Sequence, residues 1–282
     1  MSRSWFQRRR RWRLVESSLR SRSLTATFGI PLLVLLIGWG PPWVFAGVFL
    51  ALIVQALREY FSMAFPGSIK EQLWGILFGL SVSLMLLFPA VPEGDSGLSV
   101  LFVLFFSTYL FLPGRLEQRL NRLAWTLLGG LYLGYLLPHW VLLFRMPHGR
   151  VWVLFVLLVI MMGDGAAYFI GRRFGMRKLA PEISPGKTIE GAFGYLAGSL
   201  LGGCLGAAFL VTELGTIEVV VLSGMLSVAG QIGDLFESLI KRVFAVKDSG
   251  TLLPGHGGLL DRLDSLIFPA VFATTYLRVF HP

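Results

Sequence analysis

Residues 23–57 read SLTATFGIPLLVLLIGWGPPWVFAGVFLALIVQAL, a run of 35 positions without Asp, Glu, Lys or Arg. A membrane span needs about 20 mostly apolar residues. Gly40-Pro41-Pro42 breaks the run near its middle, so it reads as a helical hairpin of two short spans. The rest of the chain agrees with this solvent. Of its 282 residues, 55% are hydrophobic and 15% charged, with a mean hydropathy of +0.70; soluble domains carry about 25% charged residues. This composition excludes disorder, collagen and a disulfide scaffold, and it argues against a soluble globule. The single cysteine, Cys204, allows neither an intrachain disulfide nor a Cys-based zinc site.

Charge-free windows recur at 72–92, 96–114, 123–144 and 191–212, acid-interrupted apolar stretches at 151–171 and 219–240, and a last stretch at 263–280. They predict an all-α integral membrane protein with nine spans, near 24–40, 42–58, 72–91, 97–113, 123–144, 151–171, 190–211, 217–239 and 263–280. With the N-terminus inside, 22 of the 25 Lys and Arg fall on the cytoplasmic side, as the positive-inside rule asks. The C-terminus is then outside, no soluble domain is appended, and the expected location is the cell (inner or plasma) membrane. Residues 1–23 hold eight Arg and Glu16, which is +7 of the net +9, together with Trp5, Phe6 and Trp12. They read as a basic interfacial arm on anionic lipid, not a nucleic-acid tail or a cleaved signal peptide. Residues 24–282 form one polytopic domain.

The acids that break hydropathy carry the functional information. An acidic side chain at a helix centre costs roughly 2.5–3.5 kcal/mol on insertion scales, so intramembrane carboxylates are functional candidates. Asp164 follows the apolar run 151–163, and Asp234 follows 219–233. Asp164, Tyr168, Gly171 and Gly175 share a helical face; so do Asp234, Ser238 and Lys241, with Glu237 beside them. Asp261 and Asp264 open the last span. Structural readings also exist: Asp234 pairing with Lys241, and Asp261 and Asp264 capping a helix. Between these spans lie two polar blocks, 164–191 and 238–264, rich in Lys, Arg and Gly. Such residues neutralise and approach phosphate oxygens, while clustered carboxylates suit Mg²⁺. Acids and bases alternating on the cytoplasmic face therefore suggest a metal–nucleotide site next to lipid. Gly186-Lys187-Thr188 is not a Walker A loop, because Pro181 stands where its first glycine belongs. The glycines of 191–206 read as helix–helix contacts. His256, flanked by glycines, lies in a tight loop.

The block Ser238-x-Ile-Lys-Arg-x4-Lys-Asp-x-Gly-x2-Leu-Pro-x-His-Gly-Gly-Leu-x-Asp-Arg-Leu-Asp264 resembles the signature of the phosphatidate cytidylyltransferase (CDP-diacylglycerol synthase) family at every specified position. A second block is similar: Asp164-x3-Tyr-x2-Gly-Arg-x-Phe-Gly-x2-Lys178, then Ile183-Ser-Pro-x-Lys-Thr-x-Glu-Gly191. Weaker similarity runs through Gly29-Ile30-Pro31, Arg58-Glu59-Tyr60 and Gly130-Leu131-Tyr132-x-Gly134.

The resemblance implies transfer of CMP from CTP to phosphatidic acid, with Mg²⁺ and a possible second monovalent or divalent cation, by a homodimer in the bilayer whose polar cavity opens to the cytoplasm, without nucleic acid. It places the metal on Asp234 and Asp261, with Asp164 and Asp264 as alternates. Lys241 and Arg262 join these two as catalytic residues. Asp164, Tyr168, Lys178, Ser184, Lys187, Thr188, Ser238, Arg242, Lys247, Asp248, His256, Gly257, Gly258 and Asp264 are the expected CTP- and phosphatidate-binding residues. Two other readings share some features: a CTP-dependent lipid kinase acting on a polyprenol or phytol, and an ion-coupled transporter.

Overall fold

A computed structural model of the chain describes residues 31–88, 96–252 and 257–281. The basic arm 1–23, residues 24–30 of the first expected span, and His256 lie outside the described residues. Residues 31–39 are helical (α1). Nine further α-helices follow: α2 Pro42–Ala64, α3 Ile69–Leu87, α4 Ser96–Leu110, α5 Leu116–Gly129, α6 His139–Arg145, α7 Gly149–Phe174, α8 Ile189–Phe209, α9 Thr216–Val243 and α10 Leu260–Phe280. Every expected span meets helix. Among the described residues seven paths are long and apolar enough to cross a membrane, counting 116–145 as one, so the chain is a multi-pass membrane protein. At the two other expected positions the described helix is short, 31–39 and Ser96–Leu110.

Pro41 caps α2 and Pro42 opens it; proline suits that first turn because its fixed φ is helical and its missing N–H has no partner there anyway. Arg150 of α7 holds the turn by donating to the carbonyls of Gly38 and Gly40.

Two elements depart from the expected pattern. The chain is not wholly helical outside its loops: β1 Lys178–Ala180 pairs antiparallel with β2 Ser184–Thr188, Lys178 opposite Thr188 and Ala180 opposite Ser184. Pro181, Pro185 and Gly186 disfavour helix here, and the Glu190 carboxylate closes the hairpin base by accepting the N–H groups of Met176 and Arg177 at 3.0 and 3.2 Å. The span expected at 123–144 is not one regular helix either. A π-helical turn, Gly130–Tyr135, separates α5 from α6. There a Cβ on Gly134 would collide with the Gly79 carbonyl, and Ser83 Oγ donates to the Gly134 carbonyl at 2.7 Å. The turn lets the backbone of α3 approach this closely.

The main core joins α2, α6, α7 and α10 through fully buried Phe45, Tyr60, Phe61, Trp140, Phe155 and Ile267. Trp140 Nε1 donates to the Leu266 carbonyl at 3.1 Å, satisfying its one polar atom inside that core. The α7–α8 seam is built by small residues, as expected. A Cβ on Gly198 would stand 2.5 Å from Ala166 Cβ, and one on Gly163 2.5 Å from the Tyr195 ring. Gaining such contacts by close approach is how transmembrane helices pack without a hydrophobic drive between them.

Candidate functional site

At one end of the bundle α7 finishes, α8 begins, α9 finishes and α10 begins, with the hairpin between the first two. A cavity of about 350 Å³ opens there, lined by residues that include Asp164, Tyr168, Lys187, Thr188, Tyr195 and Asp234. Local chemistry sets this arrangement. Thr188 is the N-cap of α8 and its Oγ1 accepts the Gly191 N–H at 3.1 Å, the usual service of a capping hydroxyl. Lys187, one residue earlier on β2, reaches the cavity, where its Nζ lies 2.7 Å from Asp234 Oδ2 of α9. Ser238, one turn on, places Oγ 3.5 Å from Asp234 Oδ1. Across the cavity Asp164 Oδ2 accepts Ser265 Oγ of α10 at 3.2 Å, and Tyr168 accepts a hydrogen bond from Arg172 at 2.9 Å.

Deeper, Lys241 stands between two acids. Its Nζ is 2.5 Å from Glu237 Oε2 and 2.7 Å from Asp261 Oδ1. Glu237 is fully buried. The other oxygen of Asp261 accepts the N–H groups of Ser249 and Gly258, at 3.0 and 2.8 Å, and Ser249 Oγ at 3.0 Å. Asp264 Oδ1 accepts the Ser265 N–H at 2.7 Å, and this carboxylate stands in the field of Asp234 and Glu237. A Cβ on Gly233 would lie 2.5 Å from the Asp264 carbonyl, so α9 and α10 touch at this level.

The expected residues therefore separate into groups. Asp164, Tyr168, Lys187, Thr188 and Asp234 line the cavity. Ser238, Lys241, Asp261 and Asp264 pack beside or beneath it. Lys178 and Ser184 stand on the hairpin. Arg242 is exposed and ties that hairpin to the loop after α9, donating to the carbonyls of Ile183 and Val246 at 3.2 Å each. Lys247 and Asp248 are exposed on the loop, and Arg262 on the first turn of α10. One alternative reading and one expected contact differ. Asp234 pairs with Lys187, not Lys241, because Lys241 turns to Glu237 one turn before it and to Asp261. The Gly258 N–H, expected to meet phosphate, is given to Asp261.

Sequence reasoning missed Tyr195 and Ser249. The Tyr195 hydroxyl is buried at the cavity wall beside Asp164; its only signal is a lone tyrosine in a glycine-rich helix. Ser249 is a buried hydroxyl beside Asp261, inside a signature whose fixed positions skip it.

The donor set suits a small hard cation. Asp164, Asp234, Glu237, Asp261 and Asp264 share this end with the two lysines paired to them. Uncompensated carboxylates are costly in so apolar a setting. Among the described residues no three acids or histidines converge to cage a metal.

Comparison with known proteins adds an independent line. The cytidylyltransferase family matches residues 20–280. A phosphatidate cytidylyltransferase of Bacillus subtilis is 34% identical over 212 residues, covering 72% of this chain and 78% of that one. One of Brucella suis is 48% identical over 134 residues; that match spans about half of each protein, 48% of this chain and 49% of the relative. An uncharacterized Escherichia coli protein, YnbB, is 33% identical over 286 residues, covering 95% and 91%.

Proposed function

The chain belongs to the cytidylyltransferase family, and from that premise we propose that it is a phosphatidate cytidylyltransferase, transferring CMP from CTP to phosphatidic acid. The observation that carries this reading is the meeting of Lys187 and Asp234 at 2.7 Å in a cavity walled by apolar helices. It brings phosphate-binding and cation-binding chemistry to the place where a lipid headgroup and a nucleotide must react.

A phosphate monoester dianion is already a nucleophile, so no general base is needed. One of its oxygens attacks the α-phosphorus of CTP. The bond from that phosphorus to the bridging oxygen breaks, and pyrophosphate leaves with the electron pair. The site must align two anionic reactants and offset their charge. Lys187 and Arg172 line the cavity and are the phosphate partners nearest it, with Lys241 beneath. Tyr195, whose buried hydroxyl stands at the cavity wall beside Asp164, is a donor for substrate oxygen. Asp234 and Asp261 would hold Mg²⁺, with Asp164 and Asp264 as the neighbouring oxygen donors. The ion, when bound, neutralises charge on the phosphates.

The excess of Lys and Arg on this side supports a cytoplasmic active site and the nine-span topology with the N-terminus inside. Purified protein in mixed micelles with phosphatidic acid and CTP labelled at its α-phosphorus tests the reading, with and without Mg²⁺. Magnesium-dependent label in lipid, with release of pyrophosphate, is the expected result. Label leaving as CDP would identify a lipid kinase instead, and no turnover with phosphatidic acid would overturn the proposal.

A further inference from the structure

Glu59 of α2 is a buried carboxylate, 5% exposed, that the proposed chemistry does not use. Four donors surround it. Oε1 accepts the Leu259 N–H at 2.9 Å and Gln55 Nε2 at 3.0 Å. Oε2 accepts the Leu260 N–H at 2.8 Å and Ser249 Oγ at 3.0 Å. Leu259 and Leu260 stand at the start of α10, where backbone N–H groups lack helical partners and attract negative charge. A side chain from 200 residues away in sequence supplies that charge.

The signature segment is shaped around it. A Cβ on Gly258 would lie 2.5 Å from Glu59 Oε2, and one on Gly250 3.0 Å from its Oε1. These two glycines serve the close approach of Glu59. Ser249 then links Glu59 to the site. Its hydroxyl stands 3.0 Å from both Glu59 Oε2 and Asp261 Oδ2. One proton serves two acceptors, so it is given to one carboxylate at a time. From Asp261 the chain of contacts continues through Lys241 to Glu237.

We propose that Glu59 is a positioning residue: it pins residues 249–250 and 258–260 from outside so that the Asp261 carboxylate keeps its direction, and thereby governs the rate of transfer. Glu59 is buried away from the cavity lining and does not itself touch substrate. The inference rests on the cytidylyltransferase reading for its kinetic part alone.

The test uses the full-length protein in detergent and compares Glu59→Gln, Glu59→Asp, Ser249→Ala and the Gln/Ala double variant. The glutamine keeps the shape but turns a donor toward donors. Its kcat is expected to fall about 10–100-fold, the range seen when a group orienting a ligating residue is lost, with KM for CTP and phosphatidic acid unchanged within about twofold. Amide exchange over 249–262 is expected to rise about tenfold while that of α8 stays as it was, because the backbone donors have lost their anion. Glu59→Asp recovers part of the loss. The double variant is no slower than the slower single one, since both changes cut the same link.

Three outcomes would overturn the proposal: a glutamine variant with kcat near wild type, single losses that multiply in the double variant, or a rise in KM at constant kcat. Should the glutamine variant not fold, Glu59→Asp and Ser249→Ala carry the exchange comparison, and unchanged exchange in both overturns it as well. Absence of CDP-diacylglycerol formation by the wild type would instead remove the functional reading, and the exchange measurement, which needs no turnover, still decides on Glu59.

Discussion

Lys187 and Lys241 each hold an aspartate at 2.7 Å, yet the two pairs are built differently. Lys187 and Asp234 keep 25% and 31% of their side-chain surface open and share a cavity wall, whereas Lys241 and Asp261 keep 11% and 12%. Asp261 accepts three further hydrogen bonds, and Lys241 also answers for the fully buried Glu237. An open pair is worth about 0–1 kcal/mol and exchanges partners readily. A buried one that loses a member leaves uncompensated charge, at a cost of about 3–5 kcal/mol. The first region is thus open to ligand, and the second is held fixed beneath it.

Substitutions can break this contrast. Lys241→Met is expected to have the largest effect, destabilising the protein by about 3–5 kcal/mol in thermal unfolding in detergent. A melting curve like the wild type's would erase the distinction. Asp234→Asn is expected to lower CDP-diacylglycerol formation by at least about 100-fold, while unfolding shifts by no more than about 0.5 kcal/mol. A large loss of stability here would make the open pair structural too. Lys187→Ala should raise KM for CTP about tenfold, or 1.4 kcal/mol, with a smaller change in kcat, as read from initial rates over a CTP series. Arg242→Ala removes two long, exposed bonds to carbonyls, and its effect on stability is expected to stay within about 0.5 kcal/mol; a larger one would show that the hairpin depends on this tie.

Much of the fold was legible in the sequence because the bilayer writes it plainly. Among the described residues each apolar run between charged segments meets helix, and several boundaries moved by a few residues: α3 begins at Ile69, α9 ends at Val243. The hairpin at 178–188 escaped because its prolines and glycine deny helix without saying what replaces it. The irregular turn at Gly130–Tyr135 escaped because its cause, the backbone of Gly79, lies on another helix. The site divides in the same way. Its acids stood out against hydropathy, and periodicity set Glu237 and Lys241 on neighbouring turns of one helix. Periodicity is blind to partners on other elements, so it could not join Lys187 to Asp234 or Glu59 to Leu260. Arg58-Glu59-Tyr60 drew notice only as a weak family likeness.

The tie between Glu59 and the start of α10 also has a consequence in time. Glu59 leaves the ribosome early, but apart from nearby Gln55 its partners Ser249, Leu259 and Leu260 follow 190 to 201 residues later. At about 5–20 residues per second of synthesis, that interval is roughly 10–40 s. For that long a nascent chain carries, near the end of its second helix, an acid that its finished form buries. The bundle therefore cannot close its interior from the N-terminal side onward; it waits for almost the last helix to arrive, and a chain truncated before residue 249 would remain unsealed at this point.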